Sequence, residues 1–132
     1  MGSKTYEQVL TFNHWYQNVD AYIFTSRSNL HKIEGENIEF VNENPSVLVK
    51  KLRQEETDSW LVGGGQLISS FINNNLVDEL ILTVIPIILG KGIQLFQNLN
   101  QQITKLQLEE CKHYPDGIVQ LKYKFETMTY HL

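Results

Sequence analysis

Apolar positions along this chain change period several times, and each change marks an element. Tyr6, Val9 and Leu10 recur at helical spacing behind Thr5-Tyr6-Glu7-Gln8. That tetrapeptide has the form of a capping box, with Thr5 as N-cap and Gln8 at the third helical position, so a short helix is predicted to open the chain. Residues 21–25 (Ala-Tyr-Ile-Phe-Thr) form a compact strand closed by Ser26-Arg27-Ser28-Asn29, and residues 38–41 form a second strand. Asn44 and Pro45 then start a helix, since asparagine caps well and proline suits the first helical position. Leu48, Val49 and Leu52 share one side of it, while Lys50, Lys51, Arg53, Glu55 and Glu56 make a solvated face.

The run from Trp60 to Ile68 reads as a buried strand, residues 59–62, that breaks at Gly63-Gly64-Gly65 and turns directly into a helix. Leu67, Ile68, Phe71 and Ile72 stripe that helix, and Asn73-Asn74-Asn75 should end it. Residues 79–85 are apolar on both faces, as expected of a strand covered by helices on either side, until Pro86 and Gly90-Lys91-Gly92 interrupt. Residues 106–109 and 119–125 alternate with period two around the turn residues Pro115-Asp116-Gly117, which predicts an antiparallel hairpin at a sheet edge. Helix and strand alternate and a hairpin closes the chain. The order argues for an α/β sandwich with a mainly parallel sheet and a C-terminal antiparallel hairpin, in one domain spanning residues 1–132.

Composition removes several function classes. A hydrophobic fraction of 42% and a charged fraction of 20% are ordinary for a globular protein. The net charge of -4 argues against a dedicated nucleic-acid binder. Cys111 is the single cysteine, which leaves no internal disulfide and no cysteine-based zinc site, and fits a reducing, cytoplasmic setting. His14, His31, His113 and His131 are scattered without metal-ligand spacing, so no metal is expected. The longest apolar run, residues 85–89, contains a proline and is too short to span a bilayer.

The remaining chemistry is that of an anion site. Glycines at a strand-to-helix junction let backbone N–H groups approach an anionic ligand, and the helix N-terminus adds partial positive charge. Gly63, Gly64 and Gly65, followed by Gln66 and Leu67, have that form, although a tight turn would use the same glycines. A second candidate is Thr25-Ser26-Arg27, where two hydroxyls and a guanidinium follow a strand; the alternative is a turn with a solvated arginine. A third is Gly2-Ser3-Lys4-Thr5 at the first helix's start, against a plain structural cap or a cloning remnant. The dinucleotide fingerprint GxGxxG with its downstream acid is not met, nor is the Walker A pattern. An arginine with hydroxyls at a strand end favours a ribose 2'-phosphate, hence NADP over NAD. No nucleophile with an adjacent base is visible, and Asp78-Glu79 reads as a strand boundary because neighbours in a strand face opposite ways.

Four stretches in this order resemble the dihydrofolate-reductase-like superfamily, in the branch related to the reductase domain of riboflavin biosynthesis. They are residues 2–7 (Gly-Ser-Lys-Thr-Tyr-Glu), 22–27 (Tyr-Ile-Phe-Thr-Ser-Arg), 60–67 (Trp-Leu-Val-Gly-Gly-Gly-Gln-Leu), and 77–96 from Val77-Asp78-Glu79-Leu80 to Leu95-Phe96. The resemblance implies a three-layer α/β sandwich and an NADPH-dependent reductase passing hydride to a small heterocyclic substrate, a pteridine or a pyrimidine intermediate. It implies Lys4 and Thr5 beside the cofactor phosphates, Thr25, Ser26 and Arg27 on the adenosine side with Arg27 nearest the 2'-phosphate, and Gly63, Gly64, Gly65, Gln66 and Leu67 around the pyrophosphate. Residues 86–92 would lie toward the substrate or a dimer contact. Two departures stand out: Ser3 occupies a position where the family usually has arginine, and a further segment usually precedes this motif, so an N-terminal truncation is expected. A vacant strand position would then leave an unpaired edge that invites dimerisation. A homodimer is expected, and a non-catalytic NADP(H)-binding remnant is the alternative to an active reductase.

Overall fold

In the computed structural model, which describes residues 1–126, three helices and five strands follow one another as α1 (Ser3–Leu10), β1 (Ala21–Phe24), β2 (Ile38–Val41), α2 (Pro45–Gln54), α3 (Gly65–Asn73), β3 (Glu79–Val84), β4 (Leu106–His113) and β5 (Val119–Phe125). The fold is mixed α/β, with a parallel sheet of β1 and β2 and an antiparallel sheet in the order β3-β5-β4.

The parallel sheet sits at the core. β1 and β2 pair in register from Ala21 opposite Ile38 to Phe24 opposite Val41. On the other side of β1, the Met1 amine donates to the Tyr22 carbonyl at 2.8 Å, Phe24 N–H donates to the Met1 carbonyl at 2.9 Å, and Gly2 bridges Phe24 in parallel. Tyr6 on α1 and Ile23 on β1 are fully buried against Ile38, with Leu10, Trp15, Leu30, Ile33 and Phe40 packed around them. The Tyr6 ring meets Trp15 and Phe40 edge to face at 5.7 and 5.8 Å, and its hydroxyl donates to the His31 carbonyl at 2.6 Å. Burying the ring while satisfying its one polar atom is the arrangement a core tyrosine requires.

Helix α2 begins as the sequence predicts. Asn44 is its N-cap and accepts from Ser46 N–H at 3.0 Å, Pro45 is its first residue, and Leu48 is buried. Helix α3 also follows its stripe: Phe71 is buried and meets Phe24 edge to face at 5.7 Å, and Asn74 is the C-cap.

Three expectations are overturned. Thr5 does not cap α1; Gly2 does, and Thr5 is the third residue of the helix. Gly2 N–H donates to the Gly63 carbonyl at 2.7 Å while the Gly2 carbonyl receives Tyr6 N–H, so a contact 61 residues distant starts the helix before a capping box at Thr5 could form. Residues 59–62 are not a buried strand: they belong to no sheet, and Trp60 is 73% exposed, its ring touching Tyr16 edge to face. A strand is a relation between two segments, and among the described residues nothing pairs with this one. Finally, β3 is not sheathed by helices. It pairs antiparallel with β5, leaving Ile81 60% exposed. The β4–β5 hairpin itself is as expected, closed by Tyr114 N–H to the Ile118 carbonyl and Gly117 N–H to the Tyr114 carbonyl, both 2.9 Å.

Candidate functional site

The first turns of α1 and α3 lie against each other. Both helices begin at a glycine, Gly2 and Gly64, and neither has a side-chain cap, whereas α2 has one in Asn44. An uncapped first turn leaves N–H donors without an intrahelical acceptor and carries the positive end of the helix dipole. The hydrogen bond from Gly2 to Gly63 joins the two starts. A methyl group built on Gly2 would stand 3.7 Å from the Gly63 carbonyl oxygen and 3.8 Å from the Gly64 nitrogen, and one on Gly64 would stand 3.7 Å from Thr5 Oγ1. Two sets of backbone donors and one hydroxyl are therefore gathered within a few ångströms, flanked by the exposed side chains of Lys4 and Gln66.

Two of the glycines have separate structural reasons. Gly63 has φ of +118°, a conformation that side-chain-bearing residues rarely adopt. Gly65 is crowded from elsewhere, since a Cβ there would meet the Leu95 and Gln94 carbonyl oxygens at 3.2 and 3.4 Å. The segment making that contact is pinned to α3 by Gln97 N–H donating to buried Ser69 Oγ at 2.9 Å and Asn100 N–H donating to Asn73 Oδ1 at 2.9 Å. Leu67 is half-buried on the same helix.

Thr25, Ser26 and Arg27 leave the carboxyl end of β1. Thr25 N–H continues the ladder to the Val41 carbonyl, and Thr25 Oγ1 accepts from Arg27 N–H at 2.9 Å, so this hydroxyl shapes the loop. Ser26 is exposed. The Arg27 guanidinium forms an ion pair with Glu7, on the second turn of α1. Sequence reasoning gave Glu7 no role, and no local signal could have done so, because the partners are twenty residues apart. A hollow of about 330 Å³ opens beside the pair, lined by Glu7, Leu10, Arg27, Asn29, Leu30 and His31.

The structure thus brings Lys4, Thr5, Gly63, Gly64, Gly65, Gln66 and Leu67 to one joint between two helix starts. Arg27 is linked to that joint through α1 by Glu7 and through β1 by the Gly2–Phe24 bridge. Met1 contributes a buried amine beside β1, and burial pulls its pKa down from 8.0 to about 6. Among the described residues no three His, Cys, Asp or Glu side chains are grouped to hold a metal ion, and no helix is long and apolar enough to cross a membrane.

The family described as the RibD C-terminal domain matches residues 8–120. The chain belongs to that family. YwjB of Bacillus subtilis (strain 168) is 37% identical over 126 residues, covering 93% of this chain and 70% of YwjB. YyaP of the same organism is 38% identical over 103 residues, covering 77% of this chain and 53% of YyaP, so the chain spans about half of that relative's length. Among solved structures, a protein from Shewanella sp. PV-4 assigned to riboflavin biosynthesis superposes with a TM-score of 0.79 at 21% identity, over 96% of this chain and 72% of that one. At that identity the likeness carries the fold. Membership in the RibD C-terminal domain family makes this chain riboflavin-biosynthesis reductase-like in type.

Proposed function

We propose that this chain binds NADPH as part of an oxidoreductase that passes hydride to a small heterocyclic substrate, a pteridine or pyrimidine intermediate. The observation that carries the reading is the joint of two uncapped helix starts at Gly2 and Gly64, which gathers unpaired backbone donors without a carboxylate among them. Such a joint suits a pyrophosphate, whose oxygens accept several N–H bonds at once. Thr5 Oγ1 and the Lys4 ammonium would add a hydroxyl and a charge. Arg27 would take the 2'-phosphate, sharing its five N–H donors between that group and Glu7. Glu7 thereby has a positioning role: it holds a long side chain near the end of β1 before any ligand arrives. NADPH, when bound, supplies the hydride, and the protein supplies position and electrostatics.

The test is a calorimetric titration with NADPH and NADH of the chain and of Arg27→Ala. Saturable one-to-one binding that prefers NADPH, with the preference falling at least tenfold in Arg27→Ala, supports the reading. Absence of binding to folded protein, or equal affinity for both cofactors, overturns it. NADPH consumption in the presence of candidate heterocycles then separates a working reductase from a module that only holds the cofactor.

A further inference from the structure

Helix α3 carries two rows of different chemistry. Leu67, Ile68, Phe71 and Ile72 make its apolar stripe, while Gly65, Ser69 and Asn73 recur every fourth residue. Positions four apart stand one above the other on a helix, so a glycine, a hydroxyl and an amide form a second, polar row. The proposed phosphate joint uses only the first of these three.

The row meets residues 94–100, which form neither helix nor strand, in chain order. At Gly65 a Cβ would stand 3.2 and 3.4 Å from the Leu95 and Gln94 carbonyl oxygens and 3.4 Å from Gln97 Nε2. One turn on, Ser69 Oγ accepts from Gln97 N–H at 2.9 Å, and Ser69 is only 2% exposed. Two turns on, Asn73 Oδ1 accepts from Asn100 N–H at 2.9 Å and Asn73 Nδ2 donates to the Asn98 carbonyl at 3.0 Å. Gln97 Nε2 also donates to the Gln94 carbonyl at 3.3 Å, which folds the near end of the segment onto itself. Ser69 is the buried rung of this ladder, and without its oxygen a part-buried N–H would lose its acceptor. The start of α3 thus has two supports: the bond from Gly2 to the Gly63 carbonyl, and the 94–97 turn packed closely on Gly65.

We propose that Ser69 is a positioning residue for phosphate binding at the joint. By holding Gln97 it seats the Gln94–Leu95 carbonyls on Gly65 and fixes the aim of the first N–H groups of α3. The inference rests on the NADPH reading above and adds a residue that touches no ligand. Hydrogen bonds weaken steeply as donor and acceptor fall out of line, so the direction of a helix start matters as much as its position. Donors held still before a ligand arrives also lose little freedom when it binds, and groups behind a site commonly supply that rigidity.

Two variants disturb the contact from its two sides: Ser69→Ala removes the acceptor, and Gly65→Ala sets a methyl group against the carbonyls. Asn44→Ala is the control, because it weakens α2 by its cap and takes no part in the joint. Circular dichroism checks that each folds, and denaturant midpoints put their stabilities on one scale. The readouts are NADPH affinity by calorimetry and, without cofactor, amide exchange at Ile68, whose N–H closes the first bond of α3 on the Gly64 carbonyl at 3.0 Å. In Ser69→Ala and Gly65→Ala the affinity should fall, and Ile68 exchange should quicken, each at least about tenfold. Asn44→Ala should change neither, although its midpoint falls. Parent affinity in both variants, or an equal loss in the control, overturns the proposal. So does an Ile68 rate that stays at the parent value while the Gln97 amide exchanges faster, since the segment then moves without the helix start. Parent protein that binds no NADPH overturns the underlying reading and the binding role with it, while the exchange rates still decide whether Ser69 holds the start of α3.

Discussion

The parallel β1–β2 region and the antiparallel β3–β5–β4 sheet differ most in what covers them. Every buried side chain among the described residues lies at or before Phe71; from residue 72 to 126 there is none. The first region closes around Tyr6 and Ile23 and fixes two helix starts beside the end of β1. The second pairs β3 and β4 with the central β5 and leaves an apolar face half open. Backbone pairing and core burial are separate requirements of a sheet, and among the described residues the second region has strand pairing without a buried core. The consequence is that the proposed anion-binding joint sits where the packing is tight, and the open apolar face sits where it is not.

The sharpest attempt to break this contrast is a pair of truncations. Tyr6→Ala removes a fully buried ring and strands the His31 carbonyl, and should cost about 3–5 kcal/mol. A loss of that size is a large share of a small domain's stability. Ile81→Ala in dilute protein should change stability by no more than about 0.5 kcal/mol, because the side chain is mostly solvated. Denaturant midpoints of the two variants give the comparison directly. Similar losses would mean that the antiparallel sheet is covered in solution.

A pH effect should also belong to the first region. The Met1 amine donates to Tyr22 from a buried site, and its folded pKa stands near 6 against 8.0 for an open chain. Between those values the unfolded amine holds a proton that the folded one has released, so stability rises with pH through this window. Below pH 6 both forms are charged, and the folded chain bears the full cost of burying an ammonium, at most about 2–3 kcal/mol. Denaturation at pH 5.5 and 8.5 should therefore favour the higher pH. Acetylating the amine, which keeps an N–H for Tyr22, should remove that part of the difference.

How much of this was legible in the sequence divides along the same line. β1, β2, the Asn44-Pro45 start of α2, the glycine turn into α3 and the β4–β5 hairpin all follow from local patterns, because cap, turn and periodicity lie within a few residues of what they specify. The start of α1 does not, since Gly2 is held by Gly63 from across the chain. Residues 59–62 have the composition of a strand but no strand beside them, and composition cannot supply a partner. β3 looked doubly covered because both its faces are apolar in sequence, yet its cross-strand neighbours on one face are Lys122, Lys124 and Gln120. At the site, the glycines and Arg27 were legible as residue types. The facing helix starts and the Glu7–Arg27 pair were not, being products of tertiary folding.

A smaller effect compares the helix starts themselves. Asn44→Ala removes the only side-chain cap recorded on the three helices and should cost about 1 kcal/mol, read as a lowered denaturant midpoint. If α1 and α3 were merely poor helix starts, supplying either with an acceptor should likewise be pure gain. If they are uncapped because a phosphate completes them, the gain in stability should come with a loss in binding.

Gln66→Glu separates those alternatives with almost no change of shape. Gln66 is the second residue of α3 and exposed, so the substituted carboxylate needs no burial and meets the positive end of the helix. Placing a negative charge there should stabilise the folded chain by about 0.3–1 kcal/mol, with the larger benefit at low salt. The same carboxylate competes with and repels a pyrophosphate at the joint, so NADPH affinity should fall several-fold while the denaturant midpoint rises. Raised salt should shrink both changes together, since one charge causes them. A variant that gains stability and binds NADPH as the parent does would show that the ligand's phosphates lie elsewhere, leaving Gly63 and Gly65 explained by the turn and by the Gln94–Leu95 carbonyls alone.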